Sequence, residues 1–176
     1  MSEQAPTIHD NVGSYIIYFD IVTFTLYNPD VQDRMLEYLR LELKRLLRQH
    51  GLPFYNEPEK LEHKFYWNST GDGAVIVLVK DYVDEKGPPA VFDFGATVYR
   101  AFSSAFAAEV DKNGEERPGR LRAAIHFGDT RWAYSRVDGT LIVSGEGLNR
   151  GRRALDAASL HHFMVTEDYK NLCEHD

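Results

Sequence analysis

Residues 14–25, SYIIYFDIVTFT, form an apolar, aromatic-rich run broken by one carboxylate. Tyr15 to Phe19 precede Asp20, and Ile21 and Val22 follow it, which reads as a buried strand. The next stretch, YNPDVQDRMLEYLRLELKRLLRQHG, carries Val31, Met35, Leu36, Leu39, Leu43, Leu46 and Leu47 at helical spacing. Asn28 is placed to cap that helix, Pro29 suits its first position and Asp30 its positive end; Gly51 and Pro53 stop it. LPFYNEPEKLE reads as a loop. HKFYWNST, a tight GDG and AVIVLVK read as a hairpin of two strands. After the polar connection DYVDEKGPP, AVFDFGATVYRAFSSAFAAEV repeats apolar residues every three or four positions and predicts a second long helix. DKNGEERPG is an exposed loop, and RLRAAIHF and TRWAYSRV read as two further strands. DGTLIVSGEG is a Gly-rich connection into a short helix, LNRGRRALDAA, and HHFMVTEDY supplies a last strand.

The order strand, helix, strand, strand, helix, strand, with extra elements at the end, matches the α+β ferredoxin-like βαββαβ arrangement. That fold hosts many activities and by itself selects none. A chain of 176 residues suits one domain, spanning 1–176 with its core at about 14–168, and 43% apolar residues suit a packed interior. The formal net charge of −7 argues against a general nucleic-acid binder. A polyanion would need a local cluster of Arg or Lys. A single cysteine, Cys173, excludes an intrachain disulfide and a Cys-rich zinc site, and suits a reducing cytoplasm. The polar first dozen residues carry no signal-peptide pattern, and no apolar run approaches the ~20 residues of a membrane span. The expectation is a soluble cytoplasmic protein.

An ionised carboxylate inside an apolar strand needs a partner. In a βαββ arrangement the first strand lies beside the hairpin, so Asp20 and Asp72, at the hairpin tip between Gly71 and Gly73, can converge. Two carboxylates and a backbone carbonyl make an oxygen-rich site for Mg²⁺ or Mn²⁺. The plainer alternative makes Asp20 a turn cap and Asp72 an ordinary hairpin residue. Asn149 and Arg153, four apart on the short helix, share one face. An amide can hold a sugar oxygen and a guanidinium a phosphoryl oxygen. With Arg150 and Arg152 alongside, the same helix also reads as a solvated basic surface. Arg122 either faces a phosphate or edges the sheet, and His126 reads as a packed core residue.

These residues carry a resemblance. YFDIVTFT resembles the metal-binding first strand of the class III nucleotidyl cyclases, NSTGDGAVIVLV their hairpin, RAAIHFGD their central strand and GEGLNRGRRAL their catalytic helix. The resemblance covers roughly residues 14–168. It implies that Asp20, Asp72 and the Ile21 carbonyl bind two Mn²⁺ or Mg²⁺ ions per active site. It implies that backbone N–H groups of Thr23, Phe24 and Thr25, together with Arg122, hold phosphates. Asn149 would orient the ribose and Arg153 would stabilise the transition state. The family builds each site from two subunits, so a lone domain would act as a head-to-tail homodimer with two shared sites.

Departures from the family bear on the substrate. The purine-selecting position four before the second aspartate is Asn68, where adenylyl cyclases have lysine and guanylyl cyclases glutamate. Its partner position is Ile142. A carboxamide offers one donor and one acceptor and can match uracil or cytosine. Tyr55, Tyr66 and Trp67 could narrow a purine pocket, or simply pack in the core. The chain resembles in this the bacterial pyrimidine cyclases of Pycsar anti-phage systems, which make cyclic UMP or cyclic CMP for a separate effector. UTP is the favoured substrate on that resemblance. The alternatives are a cytidylate cyclase, an adenylyl cyclase with an atypical base pocket, and a catalytically silent nucleotide-binding module. Two further departures are the missing C-terminal hairpin with its phosphate-binding lysine, and Thr23 in place of the usual glycine, which would tighten the phosphate loop.

Overall fold

The computed structural model describes residues 9–52, 65–83, 87–135, 137–159 and 162–175. The described residues form a six-stranded sheet: β1 (His9–Ile21), β2 (Phe65–Ser69), β3 (Gly73–Val79), β4 (Leu121–Tyr134), β5 (Leu141–Ser144) and β6 (Phe163–Val165). The strand order is β2-β3-β1-β4-β5, antiparallel throughout; β6 pairs in parallel with the start of β4. The helices are α1 (Pro29–Gln49), α2 (Gly87–Ala105), α3 (Glu146–Ala157) and α4 (Glu167–His175). The βαββαβ order is therefore present.

Strand alternation sorts the sheet's side chains into two cores. Tyr15, Ile17, Phe19, Ile76, Leu78 and Ile125 point to the face covered by α1 and α2, where Leu39, Leu43, Leu46, Phe94, Val98 and Phe102 meet them. Ile16, Tyr18, Val75, Val77, Ala124 and Leu155 form the opposite core, under α3. β1 is central, with Ser14–Asp20 paired to β3 on one side and to β4 on the other. A strand paired on both sides and covered on both faces must be apolar, which explains the run from Tyr15 to Phe19.

α1 begins at Pro29, as its sequence predicts, with Asn28 extended before it but making no side-chain cap. It ends before Gly51, whose φ of 60° is a conformation glycine adopts freely.

Several boundaries differ from expectation. RLRAAIHF and TRWAYSRV are one continuous strand, β4, because Gly128 and Asp129 stay in register with Ser14 and Gly13. The Gly-rich connection DGTLIVSGEG contains a strand, β5, whose Leu141–Ser144 pairs with Arg131–Tyr134. α2 starts earlier, with Pro88 and Pro89 in its first turn, and stops at Ala105. Val110, read as helical, bridges to Glu116 instead. Beyond β6, the segment read as the tail of a last strand turns into α4, whose Tyr169 is buried in the α1–α2 core.

Candidate active site

Asp20 is the penultimate residue of β1 and alternates onto the α3 face with Ile16 and Tyr18. It is 5% exposed. Across β3 it stands opposite Gly73, and across β4 opposite Arg122. The Ile21 N–H donates to the Asp72 carbonyl oxygen at 2.8 Å, which ties the hairpin tip to the end of β1. The two acids thereby become neighbours, as the hairpin geometry predicts. Burial pushes the Asp20 carboxyl above its usual range; the Arg122 hydrogen bond opposes this, and the Asp72 charge adds to it. The Arg122 Nε donates to Asp20 Oδ2 at 2.6 Å, so the strand's buried carboxylate is held by a guanidinium.

The donor set fits a hard divalent cation. Two adjacent carboxylates repel one another and raise the proton affinity of Asp20, a conflict that a divalent charge would relieve. Among the described residues no group of three or more His, Cys, Asp or Glu side chains forms a cage. A cation here would take Asp20, Asp72 and backbone oxygen, with phosphate or water completing its shell.

After Ile21 the chain turns sharply. Thr23 has φ 56° and ψ 29°, and Phe24–Leu26 form one turn of 3-10 helix. The N–H groups that open a helical turn have no acceptor within it, so those of Thr23, Phe24 and Thr25 are not taken up by the turn's own bonds. The loop is pinned beside β4, with the Val22 N–H donating to the Arg120 carbonyl oxygen at 2.8 Å. Arg122 and this loop therefore lie at the same end of the sheet.

α3 lies close on β1 and β4 because glycines face the sheet. A Cβ on Gly151 would stand 3.0 Å from the Tyr18 ring, and one on Gly147 would stand 2.8 Å from the Asp129 carbonyl oxygen. The Tyr18 hydroxyl donates to the Leu148 carbonyl oxygen at 3.2 Å. Sequence reasoning missed Tyr18, Gly147 and Gly151 as the residues that seat α3 on the sheet. The signal was present: two glycines four apart inside a helix mark a close approach. Asn149 and Arg153 lie two positions beyond each glycine, about 200° round the helix, and so face away from the sheet. Both are exposed, and Arg153 Nη1 lies 3.5 Å from Glu146 Oε1. The structure thus brings Asp20, Ile21, Asp72, Arg122 and the Thr23–Thr25 turn together, and places Asn149 and Arg153 on the exposed outer face of α3.

Asn68 is exposed near the end of β2, opposite Val75 and on the same face as Tyr66 and Tyr18. Tyr66 stacks edge-on against Trp132. Trp67 alternates to the other face, against the α1–α2 core. Ile142 is 47% exposed on β5, at the opposite edge of the sheet from β2, with three strands between it and Asn68. The structure does not bring those two positions together in one chain. Tyr55 lies outside the described residues.

A cleft of about 500 Å³ opens between β4, the start of α3 and α4, lined by Asp129, Glu146, Arg150 and Asp168 around the buried His126. Another, of about 410 Å³, lies between α1 and the hairpin, beside Trp67, Ser69 and Gly73.

No family model matches the sequence, and no curated protein does. Solved structures match over nearly the whole chain. The adenylyl cyclase CyaB from P. aeruginosa superposes with a TM-score of 0.71 at 13% identity, covering 97% of this chain and 83% of that one. A dimeric guanylyl cyclase domain of the RhoGC fusion protein from the aquatic fungus Blastocladiella emersonii gives 0.66 at 14% identity, covering 94% and 85%. The guanylyl cyclase Cya2 gives 0.66 at 13%, covering 96% and 80%. The fold is that of the class III nucleotidyl cyclase catalytic domain. Among the described residues no helix is long and apolar enough to cross a membrane.

Proposed function

We propose that this chain is a nucleotidyl cyclase that converts a pyrimidine nucleoside triphosphate, UTP by preference, to the 3′,5′-cyclic monophosphate and pyrophosphate. The observation that carries the reading is the meeting of Asp20 and Asp72 beside the Thr23–Thr25 turn and Arg122, at one end of the central strands.

Two Mn²⁺ or Mg²⁺ ions, held by Asp20, Asp72 and the Ile21 carbonyl, would supply Lewis acidity toward the ribose 3′-hydroxyl and the phosphates. The rest is the work of this chain's own groups. The N–H row of Thr23, Phe24 and Thr25 grips phosphate oxygens, and Arg122 adds a charge-assisted contact. Asn149 holds the ribose so that its 3′-oxygen lies in line with the α-phosphorus. As that oxygen attacks and pyrophosphate leaves, Arg153 meets the charge growing on the α-phosphate. Because Asn149 and Arg153 face away from the sheet that carries Asp20, they serve a second copy of the chain. This exposure supports a head-to-tail homodimer with two shared sites.

Pyrimidine preference is supported by Asn68, which offers a carboxamide where a purine-reading charge would stand, and by the bulk of Tyr66 and Tyr18 on the same face. The cyclic pyrimidine nucleotide would act as a second messenger on a separate nucleotide-binding effector, in defence against phage. Incubation with each of ATP, GTP, CTP and UTP in Mn²⁺, followed by mass spectrometry of products, tests the reading. Cyclic UMP is expected. Cyclic AMP or cyclic GMP alone would overturn pyrimidine selection, and no product from any triphosphate would leave a silent binding module.

A further inference from the structure

The ion pair between Asp20 and Arg122 joins two groups with different tasks in the proposed reaction. They face each other directly across the β1–β4 ladder, and Arg122 Nε reaches Asp20 Oδ2 at 2.6 Å. The pair is largely buried, with side-chain exposures of 7% for Asp20 and 25% for Arg122. Oδ2 is thus occupied by a cation that belongs to the protein. A divalent ion bound through that oxygen and the strongly hydrogen-bonding guanidinium would crowd one another with like charge.

The arginine has somewhere else to go. The Thr23–Thr25 turn begins two residues past Ile21, the end of β1, and Val22 between them is fastened to Arg120, two residues before Arg122. One strand residue spans about 3.3 Å, so a long arginine side chain at this position lies within reach of anything held on that turn.

Resting on the cyclase reading above, we infer that Arg122 is a stand-in cation: it neutralises Asp20 while the site is idle and is displaced to the triphosphate when a divalent ion takes Oδ2. This makes Arg122 a positioning residue as well as a phosphate contact. It also links the two ligands. The metal frees the arginine that the nucleotide needs, and the nucleotide draws off the arginine that the metal must displace. Each ligand then tightens the other by the same factor. An empty site holds metal weakly, and the buried Asp20 carboxylate is never left without a countercharge.

Direct binding of Mn²⁺ to the full chain, by electron paramagnetic resonance or calorimetry, tests this with and without α,β-methylene-UTP. Without nucleotide, Arg122→Met should bind Mn²⁺ about tenfold more tightly than the wild type, and it should lose most of the mutual tightening. In the unmutated protein, the ¹⁵N-labelled Arg122 Nε–H resonance should move on addition of Mg²⁺ alone and again on addition of the analogue. Arg122→Lys, which keeps a cation, should lie between wild type and Arg122→Met and serves if the methionine variant does not fold. Equal or weaker Mn²⁺ binding by Arg122→Met, or an Arg122 Nε–H signal that ignores bound Mg²⁺, would overturn the inference and leave the metal site standing. Absence of Mn²⁺ binding in every protein, with and without analogue, would overturn the metal reading and the inference together.

Discussion

Gly73 faces Asp20 across the β1–β3 ladder so closely that a Cβ on it would lie 2.0 Å from the Phe19 carbonyl oxygen and 2.9 Å from the Asp20 Cα. Backbone cannot yield as a flexible side chain can. Gly73→Ala should therefore push the hairpin tip off β1, destabilise the fold by about 3 kcal/mol and remove turnover. Urea unfolding and a product assay would check both; a variant with native stability and full turnover would show that the close approach is not needed.

Gly151 and Tyr18 set the height of α3 above the sheet. Gly151→Val should lift the helix against the Tyr18 ring and displace Asn149 and Arg153 without touching Asp20 or Asp72. A shift near 1 Å in catalytic groups costs on the order of 10²-fold in rate. Turnover should fall by about that much while Mn²⁺ binding persists.

Asp20→Asn and Arg153→Ala should each be nearly inactive alone, Arg153→Ala by roughly 10²–10³-fold in kcat. In a head-to-tail dimer, mixing the two inactive proteins rebuilds one intact site in each mixed dimer. Random assortment predicts about a quarter of wild-type activity in the mixture. No recovery after verified subunit exchange would mean that each chain supplies its own asparagine and arginine.

Thr23 holds a left-handed conformation that a β-branched residue adopts reluctantly, at about 1 kcal/mol or more. Thr23→Gly should relieve that strain and, despite the flexibility it adds to the unfolded chain, leave stability unchanged or slightly raised. The looser turn should weaken nucleotide binding. Thermal unfolding and the KM for the triphosphate report the two effects separately.

Burial holds the His126 imidazole below its ordinary value of 6.5; Asp168 opposes this, Arg150 reinforces it and Glu146 opposes it. Its Nδ1 lies 3.0 Å from the Thr166 hydroxyl and 3.7 Å from Asp168 Oδ2. The unfolded chain takes up a proton below pH 6.5 that the folded one resists. Stability should thus be full above that pH and decline as pH falls through it. Urea midpoints measured between pH 8 and 5.5 should show the decline in the wild type and a flatter profile in His126→Gln.

The sequence carried the architecture where one period dominated. Seven apolar positions at helical spacing in α1 and the run from Tyr15 to Phe19 in β1 leave little choice of element. It carried less where an element is defined by its neighbours. β5 is four residues in a Gly-rich stretch, and only pairing with the far end of β4 makes it a strand. α4 owes its place to Tyr169 entering a core built mainly from residues far away in sequence. In the site, Asp20 and Asp72 were legible because a buried acid and a hairpin-tip acid can converge in this topology. The Asp20–Arg122 pair was not, since it depends on a register 102 residues apart along the chain.

The candidate acid stands on a strand paired along both sides and covered on both faces. Amide hydrogens on such a strand are expected to be among the slowest to exchange, and that carboxylate sits at its end. Asn149 and Arg153, by contrast, ride an outer helix whose seat is two glycines and a tyrosine ring. A modulator or a drifting lineage could retune such a site through that helix or the hairpin apex, and would find almost no leverage on the strand beneath.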